Sequence, residues 1–184
     1  MKTVKIIVFV LLILIVLIFV IGAILGIFTK VSVVEKQEGG FKVVGLEYTG
    51  PYQQSGKYMK EVTEKLKEAG ISDNMGFGIY YDDPKTTPAD KCRSYVGAVL
   101  DKKEYDKVEQ LKTKGFRIDS LAMAPSVIVE FPIKSSLSYM IGAMKAYPAI
   151  SAFMVERSLK PGLAIELYDM KEKKITYIMQ CAQK

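Results

Sequence analysis

Histidine is absent from this sequence, so any acid-base chemistry at neutral pH must come from other side chains, carboxylates foremost. The absence excludes the common zinc sites, a His-ligated haem, and the Ser-His-Asp and Cys-His nucleophile systems. Among the carboxylates, Glu166 has the most suggestive setting. It lies in AIELYD (164–169), where period-two alternation puts Ala164, Glu166 and Tyr168 on one face of a strand and Ile165 and Leu167 on the other. A buried carboxylate beside aromatic rings can pair with a cation, whose charge offsets the desolvation of the acid. With its pKa raised by burial it could instead act as a general acid or base. On a solvated strand face it would do neither, and spacing alone leaves that open.

Further candidates come from a repeat. IYYD (79–82) echoes ELYD (166–169), and RSYVGAVL (93–100) echoes ITYIMQCA (175–182). Tyr81 is thereby matched to Tyr168, and Tyr95 to Tyr177. Tyr81 and Tyr168 are expected to flank a cleft between the two halves, where aromatic faces suit planar or cationic ligands. Tyr48 and Tyr52, around the Gly50-Pro51 turn, are candidates for its rim. Tyr81 and Tyr168 are equally at home as packing tyrosines, since the chain has 11 of them, and for Tyr48 and Tyr52 turn packing is the readier role. Glu47 and Glu130 also sit in strands, but alternation turns neither securely inward. Asp82-Asp83-Pro84 reads as turn chemistry, because two carboxylates without further ligands hold a metal weakly. No metal site and no cofactor are expected. Cys92 and Cys181 could form one bridge or remain two buried thiols.

These residues must be positioned by a domain that follows a hydrophobic N-terminus. From Ile6 to Phe28 no residue is charged, which is long enough to cross a ~30 Å hydrocarbon core. A cleaved signal peptide is the competing reading, but its apolar stretch is usually shorter and ends in small residues, whereas this run exits through Ile27-Phe28-Thr29-Lys30, a poor cleavage context. The expected organisation is an N-terminal transmembrane anchor over 1–30, a charged tether over 31–40 and one domain over 41–184, single-pass in a membrane. Lys2 and Lys5 on one flank nearly balance Lys30 and Lys36 on the other, so the side facing the domain is open, with a small lean to a cytoplasmic N-terminus. Setting aside Lys2 and Lys5, the 26 basic residues exceed the 20 acidic ones by only four, and they are interleaved. That is a mixed-charge surface, and no nucleic-acid partner is expected.

Within the domain, FKVVGLEY (41–48) reads as a strand, followed by a helix to about Ala69 with Met59, Val62, Leu66 and Ala69 on its apolar face. Strands follow at 75–82 and 94–100. Asp101 and Glu104 have capping-box spacing before a short helix with Tyr105, Val108 and Leu111 inward. A strand region covers 116–132. Ser135 or Ser136 then caps a helix expected to bury Leu137, Met140, Ile141 and Met144, to be interrupted at Pro148, and to resume to Leu159 over Ile150, Phe153 and Met154. Strands at 163–169 and 174–181 finish the chain. The fold class is α+β: tandem strand-helix-strand-strand modules, about 41–100 and 116–182, paired by a pseudo-two-fold axis around a central cleft.

YTGPY (48–52), GIYYDDP (78–84), CRSYVGAVL (92–100) and AIELYD (164–169), in that order, resemble the GyrI-like small-molecule-binding domain, the effector-binding domain of multidrug-sensing regulators. The resemblance covers about 40–182 and implies the same tandem fold. It also implies that Glu166 occupies the floor of the ligand cleft. YYDDPKTTPADKCR followed by YVGAVL is similar to a membrane-anchored receptor branch of that family, which implies a cytosolic domain and so opposes the charge lean. That branch's receptor role depends on a long disordered tail, which is not expected after Lys184, and the role is not carried over. Some family members hydrolyse small electrophiles with glutamate, tyrosine and a tryptophan, and this chain has no tryptophan.

Three functions follow. The first is a membrane-tethered domain binding a small amphipathic or cationic molecule through Glu166, Tyr81, Tyr168 and Tyr48. The second is a hydrolase of reactive electrophiles using Glu166 and a tyrosine. The third is a membrane-anchored adaptor with a vestigial cleft and an unknown protein partner.

Overall fold

The computed structural model describes residues 2–72 and 75–182, with side chains described from Val4 onward. Lys2, weighed above for orientation, and the last two residues of the expected domain lie outside the described side chains. Helix α1 (Lys2–Leu25) contains a span, Val4–Leu25, long and apolar enough to cross a membrane. It ends on Gly26 in the left-handed region (φ 84°), where the N–H groups of Gly26 and Ile27 close onto the carbonyls of Ala23 and Gly22. A side chain would strain that backbone, so glycine is what allows the helix to satisfy its last carbonyls by this cap.

Beyond α1 the chain forms β1 (Val33–Glu38), β2 (Phe41–Thr49), α2 (Ser55–Glu68), β3 (Met75–Tyr80), β4 (Arg93–Val99), α3 (Val108–Thr113), β5 (Arg117–Leu121), β6 (Ala124–Pro132), α4 (Ser138–Glu156), β7 (Pro161–Asp169) and β8 (Lys174–Cys181). The strands make one antiparallel sheet in the order β1-β6-β8-β7-β3-β4-β2-β5. That order reads as two mirrored halves meeting at β3 and β7. The repeat β2-α2-β3-β4 and β6-α4-β7-β8 is the expected tandem module, and β5 and β1 occupy equivalent outer positions. β1 is a departure from the expected tether over 31–40. It pairs with β6 from Val33↔Val129 to Glu38↔Ala124, and Val31 and Val33 pack on the α4 side of the sheet. Its alternation is masked in sequence because a charged edge strand exposes most of its residues.

The sheet has two faces. It curls into a half-barrel whose inner face packs on itself through Val43, Phe77, Ile79, Tyr95, Ile128 and Ile165. Its outer face carries α2 over Val44 and Val96, and α4 over Val127, Val129, Phe131 and Tyr177. Val62 and Leu66 of α2 are buried as its spacing predicts. The Asp101/Glu104 capping box forms, opening a 3-10 turn (Lys102–Lys107) that leads into α3, and Leu111 is buried while Tyr105 is turned out under Lys42. Cys92 and Cys181 are both free thiols.

Helix α4 corrects two expectations. It runs unbroken through Pro148, which lies on the exposed side, so the missing N–H leaves the Met144 carbonyl facing outward. Its buried row is Ser138, Gly142, Ala146, Ile150 and Met154, while Leu137, Met140 and Met144 are exposed. Small residues face the sheet because Tyr177 and Phe131 rise from it beneath Gly142, where any Cβ would collide with the Tyr177 hydroxyl.

Candidate functional site

The two helices leave a groove between them, and its floor is the central strand pair. The register Gly76↔Tyr168, Gly78↔Glu166 and Tyr80↔Ala164 puts all six residues on the outer, helix-bearing face. Gly76 and Gly78 matter because they make room for rings. Tyr80 lies so close over Gly78 that a Cβ there would meet its hydroxyl at 2.9 Å, and the Tyr168 ring lies over Gly76 at an ordinary packing distance, its Cδ2 3.4 Å from where a Cβ would be.

Glu166 is at the centre, only 8% exposed. The Tyr147 hydroxyl, reaching down from α4, donates to Oε1 at 2.7 Å, and the Tyr168 hydroxyl donates to Oε2 at 2.9 Å. With the Tyr168 proton committed there, Tyr80 is the donor of the 2.9 Å bond that joins the two tyrosine hydroxyls. Tyr80 in turn is edged by the Tyr52 ring at 4.8 Å, just ahead of α2. Tyr139 leans over Tyr168 with ring centres 5.7 Å apart, and Tyr147 stands edge-on to Tyr177 at the same separation.

Burial pushes the Glu166 carboxyl up to about 7, although the Tyr147 and Tyr168 hydroxyls both pull it down. Burial and the Glu166 charge push the Tyr147 and Tyr168 phenols well above 10.0, which keeps them as donors. The site is therefore a desolvated acid whose hydrogen-bond partners are neutral hydroxyls rather than cations. One more polar atom is available nearby. Ser94 lies between Tyr48 and Tyr80 in the ladder, and its buried hydroxyl has no hydrogen-bond partner among the described residues.

Glu166 and Tyr168 come together as expected. Tyr48 shares their face, but it is two strands beyond Tyr80 and stacks on Tyr58 of α2, ring centres 3.5 Å apart. Tyr81 is not brought to the cluster. It lies just past β3 on the inner-face side, 37% exposed, with the Arg93 guanidinium 5.9 Å from its ring centre. The motif echo is out by one residue, because β3 and β7 pair Gly78 with Glu166, and a two-fold axis that preserves faces carries Tyr80 onto Tyr168. Strand parity in GFGIYY held that signal. Tyr147 was hidden because the helix was expected to stop beside it. Asp82 and Asp83 are turn residues: Asp82 grips Arg93 through both carboxylate oxygens, and Asp83 accepts the Lys85 N–H. A hollow of about 300 Å³ opens at one end of the inner face between Phe41, Met75, Val99 and Asp101, and it shares no lining residue with the Glu166 cluster. The chemistry lies in the groove, where the tyrosines themselves occupy the space above Glu166.

A model of the GyrI-like small molecule binding domain matches residues 29–121. The testis-expressed protein 264 homolog of Mus musculus is 31% identical over 130 residues, which cover 66% of this chain and 39% of the relative. The chain thus spans well under half the length of that curated relative. Two solved structures share the fold. The EcmrR C-terminal domain has a TM-score of 0.54 and 14% identity, over 84% of this chain and 99% of that one. SAV2435 bound to tetraphenylphosphonium has a TM-score of 0.55 and 10% identity, over 82% of this chain and 94% of that one.

Proposed function

This chain belongs to the GyrI-like small-molecule-binding family, and from that premise we propose that it holds an amphipathic or cationic small molecule against Glu166, in the groove between α2 and α4, on a domain tethered to a membrane by α1. The observation that carries the reading is a buried carboxylate caged by tyrosine hydroxyls, with no basic side chain among the described residues hydrogen-bonded to it. A lipophilic cation supplies what that arrangement lacks: a compensating charge, and a large apolar body for the rings of Tyr80, Tyr139, Tyr147 and Tyr168. For entry, Tyr80 and Tyr168 swing off the glycines they cover. Ser94 offers the incoming molecule a hydroxyl for a further hydrogen bond. Tetraphenylphosphonium, the ligand named with SAV2435, is a lipophilic cation of this class.

The test is a thermal-shift titration of the detergent-solubilised chain with tetraphenylphosphonium, alongside neutral and anionic amphiphiles. A ligand at about 100 times its Kd adds ~2.7 kcal/mol of stability. Glu166→Gln is expected to weaken the cation by about 1–3 kcal/mol and to leave neutral ligands alone. Equal affinity of both forms for the cation would remove Glu166 from the reading.

A carboxyl poised at about 7 also favours a second reading, in which Glu166 exchanges a proton with a reacting electrophile. Each carboxylate oxygen accepts one tyrosine hydroxyl and keeps a second lone pair, to which a water can donate. Hydrolysis of an activated ester or epoxide that disappears in a folded Glu166→Gln variant is the outcome this reading requires.

A further inference from the structure

Helix α4 is apolar on both of its sides. Its inner row is buried on the sheet, whereas its outer row of Leu137, Met140, Met144, Pro148 and Val155 faces away, with Met144 69% and Val155 77% exposed. Between Ser138 and Val155 the one charged residue is Lys145. The equivalent helix of the other half shows how a water-facing surface is built at this position in the fold. The outward side of α2 carries Lys57, Lys60, Glu61, Glu64, Lys65 and Glu68, with the Lys65–Glu61 and Lys60–Glu64 ion pairs along it. Two helices in matching places thus differ in which solvent their outer faces suit.

What lies beside α4 and not beside α2 is the end of the hydrophobic span. The Lys145 ammonium donates to the Thr29 carbonyl at 3.1 Å, four residues past the last residue of α1. Phe131 and Lys134, just before α4, lie against Gly26, within 3.4 Å and 3.7 Å of where its Cβ would be. The middle of α4 is therefore held at the point where the apolar span ends. Between residues 134 and 160 the chain carries Lys134, Lys145, Arg157 and Lys160 against one acid, Glu156, and the Glu166 carboxylate lies buried beneath the helix, a balance that suits anionic headgroups outside it.

We propose that the outer face of α4 lies in the interfacial layer of the membrane that α1 spans, so that the domain rests on the lipid surface. This depends on the reading of α1 as a membrane anchor. The contact brings the groove beside α4 close to the headgroups, a short path for an amphipathic molecule partitioned in the bilayer.

The test uses the full chain in vesicles of phosphatidylcholine and phosphatidylserine containing a phospholipid with a photoreactive diazirine high on one acyl chain, with adducts mapped by mass spectrometry. Adducts are expected on α1 and on Leu137, Met140 and Met144, with none on α2. The double variant Met140→Lys, Met144→Lys is expected to lose the α4 adducts and keep those on α1. Because both side chains are exposed, the variant leaves the core intact. Adducts on α1 with α4 as clean as α2 would overturn the proposal and leave the anchor standing. A chain without adducts on α1 would fail the anchor reading, and this proposal with it. Retention of the α4 adducts in the double variant would also overturn the proposal, as would protection of Met140 and Met144 from peroxide in the absence of lipid adducts, which would assign the face to a second copy of the chain.

Discussion

Replacing Glu166 by glutamine removes one buried charge and changes the shape of the side chain very little, so its effect on stability isolates the electrostatics of the site. The carboxyl titrates at about 7 in the folded protein against an ordinary value of 4.5. Between those pH values the folded state holds a proton that the unfolded chain releases, so stability falls as pH rises through that window and is flat on either side. A separation of that size corresponds to about 3 kcal/mol. Every other titrating group is shared by the two proteins and cancels in their difference. Urea unfolding at a series of pH values, followed by tyrosine circular dichroism, should give similar stabilities near pH 4.5. Above pH 7 the glutamine variant should be the more stable by up to about 3 kcal/mol, less about 1 kcal/mol for an imperfect hydrogen bond to Tyr147 or Tyr168. With typical urea slopes this is a midpoint difference of roughly 1 M. A saturating lipophilic cation should reverse the order at high pH, because only the wild type then has a charge to pair. A stability difference that does not change with pH, or a glutamine variant weakened at pH 8, would refute the reasoning.

The remaining predictions concern the supports of that site and of the fold. Tyr147→Phe deletes one of the two hydroxyls that lower the Glu166 pKa, and a carbon-13 titration of the carboxyl should show its midpoint rising by about one unit or more. Gly142→Ala forces a methyl group against the Tyr177 hydroxyl, which donates to the Tyr139 carbonyl, and should cost about 1–3 kcal/mol in chemical denaturation. Glu104 is a buried acid of the opposite sign. Burial raises its pKa, but the N–H groups of Ser72 and Asp101 outweigh this and hold it below 4.5. Its contribution is present above that value and is lost as pH falls, and Glu104→Gln, which turns an amide donor toward one of those N–H groups, should cost about 1–3 kcal/mol at neutral pH.

Glu104 and Glu166 show why burial of an acid alone does not mark a binding site. Both are enclosed, but Glu104 has the fixed donors of two backbone amides, while Glu166 has only tyrosine hydroxyls that can rotate away. Sequence distinguishes them in part, since the capping spacing from Asp101 to Glu104 announces a structural role in advance. It offers nothing comparable for Glu166 beyond the alternation in AIELYD and the family resemblance.

The primary sequence by itself determined the uncharged N-terminal span, the tandem strand-helix-strand-strand order, the capping box, and the face shared by Glu166 and Tyr168. Each of these follows from local periodicity or composition, which needs no partner to be read. Only the tertiary structure decided what depends on register and on which neighbour lies opposite. The β3–β7 pairing selected Tyr80 over Tyr81, because a shift of one residue in a strand exchanges its faces. The bulk of Tyr177 and Phe131 beneath α4 turned Gly142 and Ala146 inward and Met140 and Met144 outward, against the order of their hydrophobicity. Packing space, rather than apolarity, chose which side of that helix the sheet would cover.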